Sequence, residues 1–464
     1  MSNPSRRHFL NSLSGTITAG LIVGSFDQLS SRAGIGPVTT KGFGPPVPTK
    51  DQTTGIELIS LPEGFSYHSF GWTGQPLDCG TPTPPAHDGM AVIAENEGVV
   101  TLCRNHEVGT PLAVKNPSDS AYDPFAGGGC ANLRFDTNAK QWLDAKLSLA
   151  GTSKNCAGGA TPWNSWLSCE ETCDDPTTQL DDGEVNTFTQ KHGFVFDVPA
   201  DGQADGKPIE SLGRFVHEAV AVDPQTGIVY LTEDRGTAGL YRMIPNDPRD
   251  LHQGGKFQML ACESRGDVRK KVASNFETDV YWVDIEDRLR PHSPGTTDSL
   301  GVYHQGKQAG GLTFARLEGC AIHDGQVFVT ATSGGDAESG QVWKLDPKRE
   351  RLSMIYESPS AKVLDMPDNM AVSPRGGILL CEDGDFVPQR LQVLTEDGQL
   401  FPFAANNMQL DAGHAELVYG HQGDFRGSEW AGATFSADGQ WLFVNLQNPG
   451  VTLAITGPWR RGLI

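Results

Sequence analysis

The sequence has no excess of positive charge, no long apolar run, no paired-cysteine zinc pattern and no sustained helical periodicity. Each absence narrows the reading. Lys and Arg number 36 against 57 Asp and Glu, a formal net charge of −21, which argues against nucleic-acid binding, since phosphate backbones are held by a basic face. The apolar stretch through Leu21, Ile22 and Val23 is short and broken by Gly and Thr, too weak for a transmembrane helix, so no stable membrane anchor is expected. The nine cysteines include no Cys-x-x-Cys, and an odd number leaves at least one thiol unpaired. There is no Gly-x-Ser-x-Gly elbow and no glycine-rich phosphate loop, and the histidines form no triad or zinc motif.

What is present is glycine and proline, 55 and 30 residues respectively, a composition that favours many short strands and turns. The first residues read Ser5-Arg6-Arg7-His8-Phe9-Leu10. An arginine pair followed by Phe-Leu and a weak apolar stretch is a twin-arginine export signal. It assigns residues 1–35 to a signal peptide and 36–464 to one β domain. The expected location is periplasmic or extracellular. The twin-arginine translocase, which carries proteins already folded, is the expected partner during export.

Six segments share one pattern: a chemistry-bearing residue, a short small-to-apolar strand, a turn and a second apolar strand. They begin at His87-Asp88-Gly89, Asn155-Cys156-Ala157, His217-Glu218-Ala219, Leu317-Glu318-Gly319, Pro367-Asp368-Asn369 and Ser428-Glu429-Trp430. Turns such as His323-Asp324-Gly325 and Ala437-Asp438-Gly439 lead into the second strands, the mark of hairpins. Third and fourth strands follow in most repeats. The spacing predicts an all-β, six-bladed propeller rather than a sandwich. An insertion near residues 275–297 is expected between blades three and four, and the segment from Phe65 to Phe70 is expected to complete the last blade.

In a propeller the innermost strands line the channel. The leading residues Asp88, Cys156, Glu218, Glu318, Asp368 and Glu429 are therefore expected to form one ring. The second strands end in further acids: Glu107, Glu170 with Glu171, Glu233 with Asp234, and Glu382 with Asp383. Facing carboxylates repel at low dielectric, so they are protonated or hold cations. Any one such pair also reads as a solvated turn; recurrence at equivalent positions favours a metal site. Hard oxygen donors suit Ca²⁺, Mg²⁺ or ferric iron, and the thiolate of Cys156 adds a transition-metal character. Cys103, Cys169, Cys320 and Cys381 read as buried packing thiols. Arg316 lies two residues before Glu318, on the same strand face, and serves either as a counter-charge or as an anion-binding group.

These residues resemble a known family. Asn155-Cys156-Ala157-Gly158-Gly159, running on to Trp166-Leu167-Ser168-Cys169-Glu170-Glu171, is similar to the PhoX-type alkaline phosphatases. So are His217-Glu218, Thr232-Glu233-Asp234, Arg316-Leu317-Glu318-Gly319 and the twin-arginine signal. The resemblance spans roughly residues 55–459. It implies a six-bladed propeller holding Fe³⁺ and Ca²⁺ and hydrolysing small phosphate esters. It further implies Cys156 as the bridging thiolate, Glu218, Glu318 and Asp368 among the carboxylate ligands, and Arg316 as the residue that binds substrate phosphate. A calcium-dependent lactonase-like hydrolase and a non-catalytic calcium-binding propeller are the other readings. Cys156 discriminates against the lactonase-like reading, because calcium gains nothing from a soft ligand, and a ferric-thiolate tint would separate the enzyme from a colourless calcium-only propeller.

Overall fold

Apolar segments separated by glycine-bearing turns fold back on themselves. Leu317–His323 pairs antiparallel with Gln326–Ala331, and Trp430–Phe435 with Leu442–Leu446. Repeated six times around a closed ring, such hairpins make a six-bladed β-propeller. The computed structural model describes residues 42–113, 120–179, 186–460 and 463–464. The signal segment 1–35 lies outside the described residues.

The six innermost strands, in order, are His87–Asn96, Asn155–Ala160, His217–Val222, Leu317–His323, Pro367–Val372 and Trp430–Phe435. Each neighbours the next, and the sixth neighbours the first. The ring closes through blade six, whose outermost strand, Ser66–Phe70, comes from the other end of the chain and pairs with Val451–Thr456. Two further N-terminal strands, Val47–Thr49 and Ile59–Leu61, extend blade five. Blade two has three strands, one fewer than a full blade.

The insertion after blade three does more than lengthen a connection. Its strand Tyr281–Asp284 becomes the fifth strand of blade three, and Glu277–Asp279 the fifth strand of blade four. A short helix, Gly301–Gln308, packs back against blade three. The core lies between the blades. Trp343 and Trp430 are fully buried, and each such aromatic contributes on the order of 1.5–3 kcal/mol on burial.

One local irregularity recurs. In blades one to five, the pairing of the innermost with the second strand slips at the same place: between His87 and Met90, Asn155 and Gly158, His217 and Val220, Leu317 and Cys320, and Pro367 and Met370. These are β-bulges, which re-aim a side chain. The first residue of each bulge is Asp88, Cys156, Glu218, Glu318 or Asp368. The next is small or amidic because neighbouring innermost strands meet backbone to backbone. A Cβ at Gly319 would stand 2.5 Å from the Asp368 carbonyl.

Candidate metal centre at the channel mouth

The five bulge residues are buried and converge. Asp88, Glu218 and Glu318 are each 4% exposed or less, and the Cys156 Sγ lies 3.4 Å from the His217 carbonyl of the next blade. Around them stand Glu107, Glu171, Asp234 and Asp383, each one residue beyond the end of a second strand. Their backbone amides donate to equivalent carbonyls just ahead of the innermost strands: Glu107 to Ala86, Glu171 to Lys154, Asp234 to Val216, and Asp383 to Met366. Glu318, Asp368 and Asp383 each offer an oxygen, and the three atoms lie within 4.8 Å of one another.

The sixth blade corrects the expected ring. Its bulge comes one residue late, between Ala431 and Thr434, and places no chemistry-bearing side chain in the ring. Glu429 occupies a different position, two residues ahead. The Gln447 amide donates to the Glu429 carbonyl at 3.2 Å, as that of Thr332 donates to Arg316 at 2.8 Å and that of Glu171 to Lys154 at 2.9 Å. Glu429 is thus the register counterpart of Arg316 and Lys154. It reaches the same cluster, beside Asp383, Asp88 and Asp368, from the lead-in to the strand.

A second correction concerns the paired acids. Side chains alternate along a strand, so only one member of each pair can face the channel. Glu170 faces the blade, accepting from the amides of Ser153, Gly193 and Phe194 and lying 2.6 Å from His192 Nδ1. Glu233 accepts from the Tyr241 hydroxyl at 2.7 Å and the Gly239 amide at 2.9 Å. Glu382 takes the Arg390 guanidinium, the Asp365 amide and Gln392. These three anchor the loops that follow their strands and are turned away from the cluster.

Burial raises acids of both sets, Glu233 to about 7 and Glu382 above its usual value; in the channel, neighbouring acids add to it. Burial and the neighbouring acids push the carboxyls of Asp88, Glu171, Glu218, Glu318 and Glu429 well up, and Asp368 up to about 7. Burial likewise raises the Cys156 thiol, with Glu218 and Glu171 adding to it. Among the described residues two basic side chains reach in. Arg316 donates from Nε to Asp234 at 2.9 Å and from Nη2 at 3.2 Å, and pairs with Glu318. Burial works against the Asp234 carboxylate, yet Arg316 holds it below its usual value. Lys154, facing Glu171 and Glu107, keeps its charge against burial for the same reason.

The donor set fits metal ions. Nine carboxylates and a thiol share a buried mouth with two basic groups, and Asp88 Oδ1 is buried without a hydrogen-bond partner. So many acids cannot ionise together at low dielectric without added cations. Oxygen donors in this number suit Ca²⁺, and a thiolate among them suits iron.

Several functional residues were missed in the sequence. Lys154 precedes Cys156 by the spacing that made Arg316 noticeable before Glu318. Asn105, Thr232, Thr330 and Asn445 hold ring carbonyls of adjacent blades: Asn105 that of Cys156 at 3.0 Å, Thr232 that of Glu318 at 2.6 Å, Thr330 that of Asp368 at 2.8 Å and Asn445 that of Asp88 at 2.6 Å. Thr332 and Gln447 complete the second-strand positions, donating to Glu318 and Glu107.

Comparison with known proteins agrees with this architecture. A family model described as alkaline phosphatase PhoX matches residues 41–148 and 143–450. No curated protein sequence matches. Among solved structures, Pseudomonas fluorescens PhoX in complex with vanadate, a transition state analogue, shares the fold at a TM-score of 0.62 and 16% identity, over 89% of this chain and 97% of that one. A gluconolactonase from Xanthomonas campestris matches at a TM-score of 0.42 and 13% identity, over 91% of this chain and 99% of that one.

Proposed function

The chain belongs to the alkaline phosphatase PhoX family and is a phosphatase; we propose that it is a metal-dependent phosphomonoesterase whose ions sit in the acid-lined channel mouth. The observation that carries this reading is the convergence of nine buried or partly buried carboxylates and Cys156 on a mouth where, among the described residues, Arg316 and Lys154 are the basic groups that balance them. The bound ions would be Fe³⁺ and Ca²⁺. Cys156, Glu218, Glu318 and Asp368 would form the core of the site, with Asp88, Glu107, Glu171, Asp234, Asp383 and Glu429 around it. Such ions supply Lewis-acid stabilisation of the charge that develops on a transferring phosphoryl group.

The chain's own residues do the rest. Arg316 is 18% exposed and stands at the rim, where its planar fork suits a phosphate oxygen pair. Once cations balance Asp234 and Glu318, its guanidinium is released to turn toward substrate. The Pseudomonas fluorescens relative was solved with vanadate, and a phosphoryl-like oxyanion is the ligand we assign to this mouth. Glu170, Glu233 and Glu382 hold the loops that position the neighbouring acids.

Export through the twin-arginine route, with removal of residues 1–35 and residence of the 36–464 domain in the periplasm or outside the cell, is part of the same proposal. Its support is Arg6-Arg7 with Phe9-Leu10. Among the described residues no helix is long and apolar enough to cross a membrane.

The test is elemental analysis of natively produced protein together with its visible spectrum and phosphatase assay. Iron and calcium, a visible thiolate-to-iron absorption lost in Cys156→Ser, and activity lost on metal removal are expected. A colourless, calcium-only protein with full activity would overturn the iron centre.

A further inference from the structure

Beside the channel mouth, on the seam between blades three and four, lies a second cavity of about 660 Å³. One wall is Gly236, Ala315 and Ser333; the other carries Arg265, Arg269 and Lys270. The first wall ties the cavity to the site. Ala315 precedes Arg316, Ser333 follows Thr332, and Gly236 is two residues beyond Asp234. The second wall is a concentration of positive charge in a chain whose net charge is −21.

That wall is built rather than loose. The Arg265 guanidinium donates only to main-chain carbonyls of its own loop, those of Asp267, Lys270 and Lys271. It folds residues 265–271 into a tight arch. The arch is clamped on both sides. Arg269 Nη1 donates to the Gly236 carbonyl at 3.1 Å, the Gly335 amide donates to the Arg269 carbonyl at 2.8 Å, and the Lys271 amide to Asp336 Oδ1 at 2.7 Å. Lys307 supports it from below through the Gly266 carbonyl and Thr313.

Two carboxylates also border the cavity, and both are engaged. Asp267 pairs with Arg269 at 2.7 Å, and Glu338 with Lys270. Their side chains are 46% and 61% exposed. Ion pairs at that exposure contribute about 0–1 kcal/mol, and either carboxylate can turn into water when a stronger anion arrives. A phosphate dianion offers bidentate, charge-assisted bonds to a guanidinium. The Arg265 charge has no carboxylate partner among the described residues, so the cavity keeps a net positive balance.

We propose that this cavity is a second anion subsite. It takes the distal phosphate of an ester carrying two phosphate groups, while the phosphate to be cleaved is presented to Arg316. The inference rests on the phosphomonoesterase reading above and deepens it: the favoured substrates are bisphosphates rather than esters with uncharged leaving groups.

The test uses matched aryl esters, phenyl phosphate and 1,4-phenylene bisphosphate, with the metal-loaded full chain. The wild type is expected to prefer the bisphosphate in kcat/KM by about tenfold, the effect of one or two charge-assisted contacts. In the double variant Arg269→Gln with Lys270→Gln that preference is expected to vanish through a rise in the KM of the bisphosphate. Lys270→Glu alone, at a half-exposed side chain that leaves the arch intact, should reverse the preference. A ratio of kcat/KM values unaltered in both variants overturns the subsite. If the wild type hydrolyses neither ester, the phosphomonoesterase reading falls instead. Calorimetry with inorganic pyrophosphate then decides the subsite by itself: about tenfold weaker binding in Lys270→Glu supports it, and equal binding overturns it.

Discussion

Three second strands end in two consecutive acids, and the two members of each pair meet different surroundings. Glu170, Glu233 and Glu382 face the blades, where amides, a hydroxyl, His192 and Arg390 satisfy them. Glu171, Asp234 and Asp383 face the channel, where their neighbours are mostly other acids. The same side chains, one residue apart, thus serve opposite ends. The blade-facing acids meet hydrogen-bond donors that offset part of the cost of burial. Among the channel-facing acids, burial and acidic neighbours push Glu171 well up, whereas Arg316 holds Asp234 down. Burial alone does not distinguish a structural carboxylate from a ligand; the partner set does.

The sharpest way to break this comparison is to substitute on the channel side. Cys156→Ala should lower kcat by about 10³-fold or more, roughly 4 kcal/mol, with loss of bound iron and little change in the thermal midpoint of metal-free protein. The blade side should behave in reverse. Glu170→Ala leaves three buried amides without an acceptor and removes one of the two carboxylates beside buried His192, a loss of about 3–5 kcal/mol in stability. Chemical denaturation measures it, and turnover per folded, metal-loaded molecule should be retained.

Arg316 sits between the two sets, touching channel acids without being a ligand. Arg316→Ala should weaken transition-state binding by about 2–4 kcal/mol, the range for one lost oxyanion donor, with metal content kept. Arg316→Lys should restore stability but not the two-point phosphate contact. Activity per bound iron in wild type and both variants reads this out. Loss of metal in Arg316→Ala, with unchanged turnover per loaded site, would reduce the residue to a counter-charge.

Proton linkage gives the smallest effect and sharpens the contrast. Asp368 titrates at about 7 in the fold against 3.8 unfolded. The folded state therefore binds more protons between those values, and stability falls as pH rises through that window. Chelator-treated protein should lose about 2–3 kcal/mol between pH 5 and pH 8, and saturating calcium should flatten the profile. His192, on the blade side, is raised from 6.5 to about 9 against burial by Glu170 and Asp123. Its contribution is complete below 6.5 and is lost as pH rises through 9, whether or not metal is bound. Denaturation midpoints across pH, with and without calcium, separate the two.

Much of this was legible beforehand, for physical reasons. The six-fold pattern survives in the sequence because each blade solves the same packing problem. Five ring residues stand out because a bulge needs a small or amidic residue beside the one it aims, as in Asp88-Gly89 and Glu318-Gly319. Glu429 was set in the ring because it leads its segment in acidity, whereas the backbone register puts Ala431 there. Both members of each acidic pair carry ligand chemistry in the sequence, although strand alternation admits one to the channel. Lys154 passed unnoticed because lysine ahead of cysteine carries no recognised chemistry. The insertion's lent strands could not be read at all: Glu277–Asp279 has three residues, too few to show alternation.

The closure through Ser66–Phe70 has a consequence for how the protein is made. The channel acids are contributed by positions from Asp88 to Glu429, and those of the first and last blades meet only where the ring closes. Contacts this distant in sequence form late and slowly. The full set of channel acids is therefore assembled only at the end of folding. Asp88 and Glu429 come from the first and last blades, so an ion held between them straddles the seam where the circle was joined. Loading would then act as a rivet: an ion that binds only the closed form would hold the ring against reopening.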